Sequence, residues 1–297
     1  MLSWKQISSS GLLLWPVLAS LIAGSASRAA EDPVVSHGRM AKLVEREFSD
    51  LSDKTLGPRA RLALETEKIK WRHGETEHFV YHFQRLTEAQ KLARQAEFYY
   101  EKIQDDLAAT SDLLSGKSHL ILFSRADQWQ SFATEAEVPR WSVGFAAGRE
   151  LFLLVEAGAT YLSDRLAHEM THLVFFRFVP KRVPLWLNEG FAEYESSAAY
   201  AKFKGIGMKP PSHERVQPME ITTLTSLQTY PSDPYEVVRF YIESERLVRF
   251  LMTRHSKDQF VPFVNLLADG KEFEAALRQI YRYRKPEDLK KQLDRFQ

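Results

Sequence analysis

Two hydrophobic patterns of different period divide the first part of the chain. Between residues 68 and 83, apolar and polar side chains alternate on both sides of His73 and Gly74. Alternation of this kind places every second side chain on one face of a strand, and a glycine between two such runs is typical of a turn. The pattern therefore predicts a β-hairpin that reverses at His73 and Gly74.

A helical pattern follows the predicted hairpin. From residue 86 to residue 114 the chain contains neither glycine nor proline, and apolar residues recur at helical spacing. We therefore predict one long helix, with Thr87 as its N-cap and Gly116 beyond its end.

Short apolar runs predict strands, and the rest of the chain predicts helices. Buried strands are expected at residues 119–123 and 151–155, with an extended segment at residues 141–148 between them. A helix is predicted from residue 160 to residue 178, where Pro180 ends it. The later elements are a second helix from residues 184–187, a proline-rich loop at 209–234, and helices at 235–254, 260–267, 272–281 and 286–296. Strands followed by helices indicate an α+β fold.

The N-terminus has the pattern of an export signal. Lys5 precedes an apolar run at residues 11–23, and small residues follow up to residue 30. This order is typical of a signal peptide, and the run is too short to span a bilayer comfortably. We predict a signal peptide at residues 1–30 and a periplasmic or secreted protein with no membrane span after cleavage. A retained N-terminal anchor is the alternative. Residues 31–63 are assigned to an N-terminal arm, with a helix over residues 37–61.

Composition narrows the classes of function. Forty Lys and Arg residues balance 39 Asp and Glu residues, which gives a formal net charge of +1. This balance provides no electrostatic reason to expect nucleic acid or an anionic membrane as a partner. The chain has no cysteine, so disulfides, thiolate metal ligands and a cysteine nucleophile are excluded.

The predicted helix at residues 160–178 contains one motif whose side chains can bind a metal ion and act as a base. His168 and His172 stand four residues apart in an H-E-x-x-H sequence, and Glu169 directly follows the first histidine. Residues four apart share one face of a helix, so both imidazoles can reach one metal ion. Glu169 is placed to act as a general base on a metal-activated water.

A third ligand follows in the sequence W-L-N-E-G-F-A. This segment covers residues 186–192 and contains Glu189 on the next predicted helix. Two histidines and one carboxylate, with one position left to water, are typical of a catalytic zinc ion. We therefore predict one Zn²⁺ ion bound by His168, His172 and Glu189. The other histidines that we considered lack such spacing and are expected to have no metal role: His73, His82, His119 and His255.

These two motifs are similar to those of the gluzincin metallopeptidases. The similarity is greatest to the peptidase MA-like domain related to the aminopeptidase N family, although the connection between His172 and Glu189 is shorter here. The resemblance implies a zincin fold, in which a small mixed sheet, a long helix and the metal-binding helix are followed by a mainly helical C-terminal lobe. It implies a catalytic domain over residues 64–297, with an N-lobe at 64–179 and a C-lobe at 180–297.

The resemblance also implies roles for further residues. Glu193 lies one turn beyond Glu189, where thermolysin-like relatives place an acid that holds the first zinc histidine. The segment around Tyr241 is similar to the family's Y-x-K-G sequence, which makes Tyr241 the expected stabiliser of the oxyanion. Tyr235 and His213 are the alternatives for this role.

The expected reaction is hydrolysis of a peptide or protein by a zinc-dependent peptidase. Residues 144–148 occupy the place where relatives have an edge strand that holds an extended peptide. The G-A-M-E-N sequence that anchors a free amine in aminopeptidases is missing, and Glu150 is a displaced substitute. Two alternatives stay open: a module that binds envelope proteins or peptides without turnover, and a metallohydrolase that cleaves a non-peptide amide such as a cell-wall crosslink.

Overall fold

A six-stranded mixed sheet forms the first half of the structure. The structure is a computed structural model, and it describes residues 42–66, 69–107, 116–139, 142–155, 162–179, 181–209, 211 and 216–296. The strands are β1 (Val44–Arg46), β2 (Arg72–Glu75), β3 (Phe79–Phe83), β4 (Ser118–Phe123), β5 (Gly144–Ala147) and β6 (Glu150–Leu154). Their spatial order is β1-β2-β3-β4-β6-β5, in which β3, β4 and β6 are parallel and the other neighbours are antiparallel.

Helices cover both faces of the sheet and form the second half of the described chain. The helices are α1 (Pro58–Leu64), α2 (Leu86–Asp106), α3 (Ala126–Glu135), α4 (Leu162–Phe178), α5 (Leu185–Lys204), α6 (Ile221–Ser226), α7 (Pro234–Arg254), α8 (Lys257–Ala268), α9 (Phe273–Tyr281) and α10 (Pro286–Leu293). This architecture confirms the α+β class and the mixed sheet. Among these helices, none has both the length and the apolar character that crossing a bilayer would require.

Alternate side chains of the strands enter two different cores. Tyr81, Leu120 and Leu153 face α2 and α4 in the larger core, which extends into the C-terminal helices. Ile121 and Phe152 face α1 and α3 in a smaller core on the other side of the sheet. Because neighbouring residues of a strand point to opposite faces, the side chains on one side of this sheet are separated from those on the other.

The α-helix predicted over residues 37–61 is wrong for residues 42–57. Residues 1–41, with the predicted signal peptide, lie outside the described residues. Beyond them the chain forms β1 and a short 3-10 helix (Phe48–Asp50), and helix α1 begins only at Pro58. The strand forms because Val44 pairs with Glu75 of β2, a tertiary interaction that local helix propensity does not include.

The predicted hairpin is confirmed as β2 and β3, but it reverses at residues 76–78. His73 and Gly74 lie inside β2. A Cβ on Gly74 would lie 2.9 Å from the carbonyl oxygen of Val44. The glycine therefore permits the close approach of β1 instead of forming a turn.

The predicted long helix is confirmed as α2, with different ends. The N-cap is Arg85 and not Thr87, because helical geometry already starts at Leu86. The helix ends at Asp106, and residues 108–115 lie outside the described residues. Gly116 resumes the described chain at a positive φ of 78°. The loop predicted at residues 209–234 contains the short helix α6.

An ion-pair cluster joins the long helix α2 to helix α5. Lys102 lies 2.9 Å from Glu195 and 2.5 Å from Asp106. Burial alone would lower the pKa of Lys102, but the two carboxylates raise it above its usual range. Burial raises the pKa of Glu195 to about 8. Lys102 therefore compensates for the unfavourable burial of the Glu195 carboxylate.

Replacement of Lys102 by Met should leave Glu195 buried without a counter-ion and lower the free energy of unfolding by about 3–5 kcal/mol. Denaturant titration measures this loss. The control is Lys181→Ala, because Lys181 pairs with Asp269 at the surface and should change stability by less than about 0.5 kcal/mol. The double variant Lys102→Met/Glu195→Leu should recover most of the loss, and equal losses in the single and double variants would contradict this account.

Three histidines form a hydrogen-bonded row across β2, β3 and β4, on the sheet face that carries α1 and α3. Nδ1 of His73 lies 2.8 Å from Nδ1 of His82, and Nε2 of His82 lies 2.9 Å from Nδ1 of His119. Burial, together with the neighbouring histidines, lowers the pKa of His82 well below its usual value. Burial lowers the pKa of His119 to about 4, despite the nearby carboxylate of Asp53.

The row should make the protein less stable in mild acid. The unfolded chain binds protons near pH 6.5, whereas the folded imidazoles stay neutral until about pH 4 in the case of His119. The free energy of unfolding therefore falls as the pH is lowered through this window, by up to about 1.4 kcal/mol per pH unit for each histidine. His119→Gln removes one contribution and should flatten the stability curve measured by denaturant titration between these pH values. Parallel curves for both proteins would show that His119 does not contribute.

Candidate metal centre

Helices α4 and α5 bring three potential metal ligands to one point. Nε2 of His168 lies 3.1 Å from Nε2 of His172, and each of these atoms lies 3.7 Å from Oε2 of Glu189. Within the described residues, these three form the one group of His, Asp and Glu side chains with ligand atoms close enough to hold an ion. The cluster can bind a metal ion, as the motif spacing predicts.

The packing of each helix explains why the ligands converge. The side of α4 that faces the sheet is fully buried through Leu166, Met170, Leu173 and Val174, which orients the two histidines toward α5. Helix α5 lies between α4 and α7. A Cβ on Gly190 would collide with the carbonyl oxygen of Ser244 on α7. The glycine beside Glu189 is therefore needed for the close helix contact that positions this ligand.

The ligand cluster is mostly buried, but one of its side chains is partly exposed to solvent. The side chains of His168 and Glu189 are 4% and 6% exposed, whereas that of His172 is 18% exposed. His172 therefore marks the side from which water can reach the ligands.

Glu193 lies beside the first histidine. Oε1 of Glu193 lies 3.2 Å from Nδ1 of His168, and Nε2 of the same ring faces His172 and Glu189. Burial and the adjacent His172 lower the pKa of His168 to about 4, which keeps the ring neutral and able to bind a metal. Burial raises the pKa of Glu193 to about 7, although His172 and Arg165 oppose this shift. The predicted position of Glu193 beside the first histidine is thus found in the structure.

Glu169 borders the same cluster. Its side chain is buried, and its charge is near enough to offset part of the fall in the pKa of His168 and to add to the rise in the pKa of Tyr230. A carboxylate here lies beside the ligands and is not part of the metal-binding group.

Tyr230 is a site residue that the sequence analysis missed. Its hydroxyl donates a 2.7 Å hydrogen bond to Oε1 of Glu189. Burial, followed by the charge of Glu189, raises the pKa of Tyr230 well above its usual value, so the hydroxyl remains a donor. The residue lies between α6 and α7 next to Pro231, where no periodicity or motif marks it.

The predicted oxyanion residue Tyr241 lies next to Tyr230. The two rings are stacked with centroids 6.2 Å apart, and the hydroxyls interact with one another. Of the two alternatives, Tyr235 is exposed and its hydroxyl accepts a hydrogen bond from the backbone of Gln217. His213 lies outside the described residues.

Glu150 is not brought to the cluster. It accepts a hydrogen bond from the backbone of Gly57 at the start of α1. Leu151 and Leu153 face helices α2 and α4, and alternation therefore points Glu150 to the opposite side of the sheet. The edge strand β5, in contrast, lies against the helix that carries the two histidines. It packs against α4, and Gly144 lies beside Arg165 of that helix.

Comparisons of the chain with models of protein families and with curated protein sequences found no match.

The ligand cluster should bind one divalent metal ion, because the three ligand atoms converge within the described residues. His172→Gln should lose the ion, whereas His255→Gln should keep it, since His255 contacts Tyr283 and not the cluster. Metal content after dialysis against Zn²⁺ measures both outcomes. In the wild type, a free metal concentration 100 times the dissociation constant should raise the free energy of unfolding by about 2.7 kcal/mol. Retention of the ion by His172→Gln would refute the assignment.

Proposed function

We propose that this protein is a zinc-dependent peptidase of the gluzincin type, which hydrolyses peptide or protein substrates outside the cytoplasm. The observation that carries the proposal is the convergence of His168, His172 and Glu189 beside Glu169. Structural zinc sites have four protein ligands, whereas the described residues supply three. An open position for water or substrate is typical of catalytic sites.

The ligand geometry favours zinc. A tetrahedral zinc ion with bonds of about 2.0–2.1 Å requires ligand atoms about 3.3 Å apart. The separations of 3.1, 3.7 and 3.7 Å in this cluster lie close to that value. Two imidazoles and one carboxylate also suit zinc better than magnesium or calcium, which prefer oxygen ligands.

The surrounding residues can supply the remaining chemistry. When bound, zinc would act as a Lewis acid toward the scissile carbonyl and the attacking water. Glu169 accepts a proton from this water and passes it to the amine that leaves. Tyr241 donates a hydrogen bond to the oxyanion of the tetrahedral intermediate. Glu193 keeps the first histidine in the orientation that binds the metal.

The edge of the sheet offers a place for the substrate. Strand β5 is the last strand beyond β6, so one side of its backbone has no strand partner among the described residues. An extended peptide can add to such an edge by backbone hydrogen bonds. Because β5 packs against α4, a peptide bound there would pass close to the ligand cluster.

The zincin fold and the location outside the cytoplasm are parts of the same proposal. The mixed sheet, the long helix α2, the metal-bearing helix α4 and the following helices agree with the order that the gluzincin resemblance implies. The apolar run at residues 11–23 supports export to the periplasm or beyond.

Digestion of a peptide library tests the proposed activity. The zinc-loaded protein should cleave peptides, and 1,10-phenanthroline should stop cleavage until Zn²⁺ is restored. Mass spectrometry of the products identifies the bonds that are cut. A zinc-loaded protein that retains peptides but cuts none would favour the alternative of a binding module.

Glu169→Gln should retain zinc and lose about 10²–10⁴-fold in the rate of cleavage, because the amide cannot accept the proton of the water. Zinc content and cleavage rate are measured on the same sample. Glu101→Gln is the matched control, since Glu101 is an exposed glutamate of α2, and it should cleave at the wild-type rate. Full activity in Glu169→Gln would exclude the proposed mechanism.

A further inference from the structure

The two carboxylate oxygens of Glu189 have different surroundings. Oε1 accepts hydrogen bonds from the hydroxyl of Tyr230 at 2.7 Å and from the side-chain amide of Asn188 at 3.2 Å. Oε2 lies 3.7 Å from the Nε2 atoms of His168 and His172. One oxygen is therefore held by protein donors, while the other is directed at the ligand cluster.

The two donors to Oε1 are not equivalent. Asn188 is the neighbour of Glu189 on α5, and its contact is the longer one. Tyr230 comes from the segment between α6 and α7 and fixes the carboxylate from outside its own helix. A donor on a separate element resists rotation of the carboxylate about its own side-chain bonds.

The ring of Tyr230 is itself held in place. It stacks on Tyr241 with an angle of 23° between the rings, and it meets Phe240 edge to face at a centroid distance of 6.0 Å. Both partners are buried residues of α7. Because α7 also packs against α5, the phenol reaches Glu189 from a rigid support.

We propose that Tyr230 is a positioning residue that makes Glu189 a monodentate ligand through Oε2. The inference rests on the proposed metal site and adds a residue to it. Without the hydroxyl, Oε1 would lose its shorter hydrogen bond and the carboxylate could turn away from the geometry that binds the ion. Partners of this kind typically contribute 10–100-fold to metal affinity.

Zinc affinity tests this role without any measurement of activity. Competition with a chromophoric chelator should show that Tyr230→Phe weakens zinc binding by about 10–100-fold. The absorption spectrum of the Co²⁺-substituted protein should change as well, since it reports the ligand field. Tyr241→Phe leaves the hydrogen bond to Glu189 intact and should cause a smaller loss.

Tyr281→Phe is the matched control. Its hydroxyl is buried on α9 and makes no hydrogen bond with the described residues, so zinc affinity should equal that of the wild type. The same substitution in a Glu189→Asp background tests whether Tyr230 affects zinc affinity through Glu189. The shorter Asp side chain already moves the carboxylate away from Tyr230, so Tyr230→Phe should weaken zinc binding markedly less in this background.

The outcomes separate this inference from the proposed metal site. Wild-type zinc affinity in Tyr230→Phe, with loss of zinc in His172→Gln, would overturn the role of Tyr230 and leave the site intact. An equal loss in Tyr281→Phe, or an undiminished loss in the Glu189→Asp background, would also overturn it. A wild-type protein that binds no zinc would remove both proposals together.

Discussion

The contact between helices α4 and α5 is the constraint on which the rest of the site depends. The H-E-x-x-H sequence places two imidazoles on one face of α4, but a carboxylate must come from another element to complete the cluster. Gly190 lets α5 pack closely against α7 on one side, and on its other side α5 brings Glu189 to both histidines of α4. A side chain at Gly190 would push α5 away from α7 and so shift Glu189 relative to the two histidines. The sheet and the larger core serve to hold this contact in place.

Helix α5 carries three buried glutamates, and each is held by a different element. Glu189 accepts a hydrogen bond from Tyr230 beyond α6, Glu193 meets His168 on α4, and Glu195 pairs with Lys102 on α2. Burial of a carboxylate is unfavourable unless a charge or a donor compensates for it. The three contacts therefore specify where α5 can lie, because any shift would leave at least one carboxylate without its partner.

The two faces of the sheet have separate chemistry. The face toward α2 and α4 supports the ligand cluster, whereas the opposite face carries the histidine row and the contact of Glu150 with α1. Alternation along the strands enforces this division. It explains why Glu150 does not reach the cluster, and why His119 lies outside the larger core although its neighbour Leu120 belongs to it.

Local chemistry in the sequence determined the H-E-x-x-H helix, the third ligand Glu189 and the α+β class, because helical spacing and alternation are properties of neighbouring residues. The same reasoning placed Glu193 one turn from Glu189. Only the tertiary structure decided that residues 44–46 form a strand, since their partner is β2. It alone identified Tyr230, which contacts Glu189 from 41 residues away along the chain. Contacts between distant segments depend on how the elements pack, and no local pattern records them.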